Sequence, residues 1–173
     1  MKPYVRGKNI FLREVAVDDA DFIVELRTNP VISKHISATS ADVEMQKNYI
    51  SEYASNPTDF YFVICDWDWR RLGTVRIYDV RGDSFCWGSW ILSRNLPIAS
   101  AALESALLIY DFGFFALHYL KSHFDVRKAN ERVVEFHKRF GAIIVAEDEL
   151  NYFFQYDSVV YMNTRNKYRR YLP

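Results

Sequence analysis

Glycine is scarce in this chain, with six in 173 residues and none between Gly88 and Gly113. The six positions exclude G-x-x-x-x-G-K-S/T and G-x-G-x-x-G phosphate loops, and no G-x-S-x-G nucleophile elbow is present. Cysteine is nearly absent. Cys65 and Cys86 are too few for a disulfide framework. The histidines at 35, 118, 123 and 137 lack metal-ligand spacing with either cysteine, so no metal is expected. Neither charge sign dominates, with 22 Lys plus Arg against 22 Asp plus Glu. Nucleic acid and anionic membrane surfaces need clustered basic residues, so neither is expected as a partner. No apolar run is long enough to span a bilayer. No secretory leader is seen, and together with the two cysteines this points to the cytoplasm. Internal repeats, low-complexity tracts and linkers are also lacking.

What is present is apolar and aromatic. Half the residues are hydrophobic and 17% are aromatic. That supports one globular domain over residues 1–173 with a substantial core. Asn9 to Val15 reads as an edge strand. Asp18 and Asp19 open a helix that Thr28-Asn29-Pro30 ends. A loop with Arg27, Asn29, Lys34 and His35 at or near it follows. Thr39, Ser40 and Asp42 compete to cap a second helix reaching Ala54. Phe60 to Asp66 and Leu72 to Val80 are strands joined by a hairpin bearing Trp67 and Trp69, and Arg81-Gly82-Asp83 is the next turn.

The central stretch then reads strand, loop, helix, strand, helix. The strand is Phe85 to Leu92. The helix runs from about Ala99 to Phe115 and is apolar nearly all round, as a buried helix would be. Tyr119 to Val126 is the next strand. Asn130 is a candidate N-cap and Gly141 a natural stop for the helix between them. A strand from Ile143 to Ala146 and an aromatic strand from Tyr152 to Met162 follow. Asn163 or Thr164 is expected to cap a short last helix.

Three stretches carry a family resemblance. They are the opening NIFLREVAVDDADFIVELRTNP, the strand WGSWIL leading into a loop and a helix, and the run DVRKANERVVEFHKRFGA. In this order they resemble the GNAT N-acetyltransferase superfamily. The branch is the one that acetylates ribosomal-protein N-termini and nucleotide-linked amino sugars. The resemblance implies a single-domain α/β GNAT-like fold. Its centre is a mixed, mostly antiparallel twisted sheet of six or seven strands, with helices on both faces. Two adjacent strands would splay to admit the pantetheine. It also implies acetyl-CoA as cosubstrate and a small-molecule amine as partner; a homodimer is left open. In the third motif Asn130 takes the Asn place, Val133 the Ser place, His137 the Tyr place, Gly141 the Gly place and Ala142 the Phe place.

The phosphate loop departs from the family's Q/R-x-x-G-x-G/A. Either Arg94 opens it, with Pro97 and Ala99 in the glycine places, or those places fall between Ala99 and Ala102. The chemistry needs free N–H groups at a helix N-terminus beside small side chains. The coenzyme contacts expected from the resemblance are Ile91, Leu92, Arg94, Ala99, Ser100, Ala101, Ala102 and Asn130. His137 would protonate the departing thiolate as an imidazolium. Cys86 and Trp87 stand where relatives often carry a glutamate base, leaving an ordered water or His35 for that role. The neutral, aromatic composition favours a nucleotide-linked amino sugar as acceptor, ahead of a protein N-terminus or a polyamine. The alternative from another class is a non-catalytic acyl-CoA-binding or interaction domain on a degenerate GNAT frame.

Overall fold

The computed structural model describes residues 5–173. Eight strands form one sheet in the order β1-β2-β3-β4-β5-β6-β8-β7. They are β1 (Val5–Arg6), β2 (Ile10–Glu14), β3 (Phe60–Asp66), β4 (Arg71–Arg81), β5 (Ser84–Leu92), β6 (Lys121–Arg127), β7 (Ile143–Glu147) and β8 (Asn151–Asp157). Every neighbour is antiparallel except the β5–β6 pair. The count exceeds the expected six or seven because a two-residue β1 pairs with β2. That pairing also removes β2 from the edge position the sequence suggested. Residues 10–12 of β2 are fully buried.

Helices α1 (Ala20–Thr28) and α2 (Val43–Tyr53) cover one face. Helices α3 (Ala101–Asp111) and α4 (Glu131–Phe140) cover the other, and α5 (Ser158–Lys167) packs beside them. β3 shows how the layers divide. Tyr61, Val63 and Cys65 join the α1/α2 cluster, and Phe60, Phe62 and Ile64 join the α3/α4 cluster. Successive side chains of a strand point to opposite faces, so a strand covered twice is apolar throughout.

Local chemistry explains most boundaries. The Asp42 carboxylate accepts the Glu44 and Met45 N–H groups and so starts α2, deciding among the three candidate caps. Gly141 ends α4 at φ 111, a left-handed conformation glycine adopts without strain. Helix α3 runs on into a wider π turn, Phe112–Ala116. There Gly113 meets the Phe85 ring, which a Cβ would approach to 2.2 Å. Trp67 and Trp69 fold back on β2, with ring centres 5.0 and 4.9 Å from Phe11.

The last part of the chain corrects the sequence reading. The aromatic strand ends at Asp157, not Met162, and α5 begins at Ser158 with no cap from Asn163 or Thr164. Val159 and Val160 favour strand by propensity, but tertiary contacts outweigh this. Tyr161 is buried and donates to the Leu107 carbonyl and to Asp111, and Arg165 pairs with the same Asp111 carboxylate.

Candidate active site

β5 and β6 pair only through Ser84–Lys121, Phe85–Ser122 and Cys86–His123. Beyond them the two strands separate. The backbone groups on the facing edges of Trp87 to Leu92 and Phe124 to Arg127 therefore have no partner across the gap. A cavity of about 330 Å³ occupies this cleft. β5 is also bulged here. Thr74 of β4 faces Ile91 and Arg76 faces Gly88, leaving two β5 residues, Ser89 and Trp90, opposite Val75. Ser89 carries φ 47, and its carbonyl accepts from Thr74 Oγ1 at 3.0 Å. A bulge re-aims backbone groups, and this one turns them beside the cleft.

The floor of the cleft is aromatic. The His137 ring centre is 4.4 Å from Phe124, 5.5 Å from Trp87 and 5.6 Å from Phe154. Trp90 closes the same side and donates its indole N–H to Ser105 Oγ at 2.9 Å. His137 is 3% exposed, and its Nδ1 has no hydrogen-bond partner among the described residues. Burial among rings penalises the charged imidazole and pulls its pKa to about 3. The ring is therefore neutral near pH 7. The imidazolium expected from the sequence is disfavoured there, because nothing nearby compensates its charge.

The other wall faces the α1/α2 side. It is built from Arg27, His35 and Ser37, from Tyr78 of β4, and from Asp125 and Arg127 of β6. His35 is half-buried. The Cys86 thiol, pushed up to about 12 by burial, cannot serve as a base in place of the missing glutamate. Asp125 and Arg127 went unremarked in the sequence. Their signal was alternation, since Ser122, Phe124 and Val126 are buried while Asp125 and Arg127 are exposed.

The expected coenzyme residues separate into two groups. Asn130 lines the cavity, as does Val133. Asn130 occupies the N-cap position of α4, but its side chain makes no capping bond and so remains available to a ligand. The others lie further along β5 and at the start of α3. Ile91 is buried in the α1/α2 cluster and Leu92 is half-buried. Arg94 and Ala99 are exposed, and Ser100 precedes α3 with its hydroxyl donated to Glu104 at 2.6 Å. Ala101 is fully buried, so its methyl packs into the core and cannot face a phosphate. Ala102, half-buried in the first turn, is the small residue left beside the free N–H groups of the helix start. Among the described residues no group of three or more His, Cys, Asp or Glu could hold a metal ion. No described helix is long and apolar enough to cross a membrane.

A splayed parallel pair, a bulge on its first strand and a following helix N-terminus together fit a thioester coenzyme laid between strands. The family profile described as acetyltransferase (GNAT) domain matches residues 9–143. The chain belongs to this GNAT acetyltransferase family. It is an acetyl-CoA-dependent N-acetyltransferase. The solved structure described as apo FdhC, a nucleotide-linked sugar GNAT, is similar over 100% of both chains, at 36% identity and a TM-score of 0.90. Spermidine N-acetyltransferase from Vibrio cholerae, solved with CoA and spermine, is similar at 16% identity and a TM-score of 0.81. That match covers 90% of this chain and 99% of the other, and it bears on the fold alone. No curated protein sequence matches the chain.

Proposed function

We propose that the acceptor is the primary amine of a nucleotide-linked amino sugar. The observation that carries this reading is the likeness, over the whole of both chains, to a 36% identical nucleotide-linked sugar GNAT. The neutral amine attacks the thioester carbonyl, a C–N bond forms and the C–S bond breaks. The amine proton passes to His35 and returns through water in the cleft to the departing thiolate, so protons balance over one turnover. Backbone groups of β5 beyond Cys86, free of β6 partners, are the donors available to the carbonyl as negative charge develops on it. His35 at the acceptor wall takes the amine proton. His137 acts as a neutral ring, offering an N–H hydrogen bond to the thiolate. Asn130 and the α3 start at Ala102 hold the coenzyme, with Ile91, Leu92, Arg94, Ala99 and Ser100 along its path.

Acetyl-CoA titration followed by thiol-release assays over an amine panel tests this. Nucleotide-linked amino sugars should turn over well ahead of polyamines and peptide N-termini; a preference for either of the latter overturns the reading. His35→Gln should lower turnover by roughly 10²-fold. Unchanged turnover there, with that loss in Asp125→Asn, moves the base to Asp125.

A further inference from the structure

Beside the cleft lies a second cavity of about 300 Å³, and Arg27 and Ser37 stand in the walls of both. Its floor is the α1/α2 face of the sheet, where Tyr61 and Arg76 lie. Tyr49 and Gln46 of α2 form the opposite wall.

Two cations stand in the walls of this space, Arg76 and Arg27. The Arg76 guanidinium carbon is 5.3, 5.2 and 5.0 Å from the ring centres of Tyr49, Tyr61 and Tyr78. Its Nε is buried with no hydrogen-bond partner among the described residues. Asp59 forms an ion pair with it, 3.9 Å from its Nη2 and without a hydrogen bond, so Arg76 is compensated in part and keeps donors free for a ligand. Arg27 is oriented by neutral groups. Its Nε donates to Thr39 Oγ1 at 2.5 Å and its Nη2 to Ser37 Oγ at 2.8 Å. The Asp42 carboxylate at the rim accepts two N–H groups of α2 through Oδ1 and keeps its negative charge there. Burial raises the Tyr49 and Tyr61 phenols, both guanidiniums pull the other way at both rings, and Asp59 raises Tyr49 further. Like charges sharing a partly desolvated cavity repel, and an anion between them relieves this.

We propose that this second cavity binds the diphosphate of the acceptor's nucleotide, with Arg76 and Arg27 as its cations. The partly exposed Tyr49 ring offers the base a stacking face. The inference rests on the nucleotide-linked acceptor proposed above. The shared Arg27–Ser37 wall links the two cavities, so an anion in the second tethers an amine in the first. A polyamine would meet two guanidiniums here, which disfavours it by charge alone.

The test is calorimetric titration of the full chain with thymidine diphosphate and uridine diphosphate, with CoA held at saturation. Filling the coenzyme site first keeps these probes from the pyrophosphate loop at α3. At least one should bind, with inorganic pyrophosphate competing. Arg76→Gln and Arg27→Gln should each weaken binding by about tenfold or more, the scale of one charge-assisted contact. CoA affinity should stay at the wild-type value in Arg76→Gln, which lies outside the coenzyme cleft. If Arg76→Gln loosens the fold, Arg76→Lys retains the charge and should restore part of the affinity. Absence of binding by both probes in the presence of CoA overturns the proposal, as does equal affinity in both glutamine variants. Turnover separates the two readings. A nucleotide-linked amino sugar acetylated with unchanged KM by Arg76→Gln and by Arg27→Gln removes the diphosphate site and leaves the acceptor assignment standing. Acetylation of polyamines or peptides alone removes both.

Discussion

β3 and β7 are both apolar strands, yet the first is buried at all seven positions and the second exposed at all five. FYFVICD lies inside the sheet between β2 and β4, with helices on both faces. IIVAE lies at the edge and pairs only with β8. Ile143 is 60% exposed and Val145 55%. Hydrophobic composition sets what a strand can contribute, and its place in the sheet sets what it does contribute. The same contrast divides the molecule at the β5–β6 splay. One side is a doubly covered sheet. The other leaves a face open, with Lys121, Asp125 and Arg127 of β6 and Phe153 of β8 exposed, and the cleft opens where the two meet.

The largest effect should come from breaking the covered side. Phe62 is fully buried and meets the Phe112 ring edge-on at 5.3 Å. Phe62→Ala should cost about 3–5 kcal/mol of unfolding free energy in denaturant titration. A loss under about 1 kcal/mol would show that this half is not tightly packed.

A smaller effect should appear at the seam. The folded state holds His137 neutral, with its pKa lowered from 6.5 to about 3 by burial, so protonation favours unfolding. Its contribution is complete above pH 6.5 and is lost as pH falls towards 3. The stability difference between wild type and His137→Phe should therefore shift by about 3 kcal/mol in favour of the variant between pH 7.5 and 4.5. Parallel stability curves over that range would contradict burial of the ring. Acetyl-CoA should still bind the variant, because phenylalanine keeps most of the apolar contact.

The smallest effect belongs to the edge. Val145→Lys should change stability by less than about 0.5 kcal/mol, while lowering any concentration-dependent association seen by light scattering. A large destabilisation would mean that β7 is covered in solution.

Several parts of the fold were legible because their causes are local. The β5 span, the α4 span and its stop at Gly141 follow from strand patterning, from a short amphipathic run and from a glycine needed at positive φ. The end of β8 was not legible. Val159 and Val160 read as strand, and only Tyr161 and Arg165 reaching Asp111, some fifty residues away, turn that segment into helix. The site was legible in part. The third motif brought out His137 and Asn130, and both line the cleft. Ala101 looked equivalent to Ala102 in the sequence, because helix phase alone does not show which methyl meets the core.

The sequence by itself determined the order of elements, the lack of a glycine-rich phosphate loop and the family, since each is written in contiguous residues and their spacing. Only the tertiary structure decided the neutral state of His137, because its desolvation is the work of Trp87, Phe124 and Phe154 from three different strands. It also decided that Arg27 and Arg76 stand in the walls of one cavity. A field or a cavity is the sum of groups that the chain brings together from far apart, and no local pattern encodes that sum.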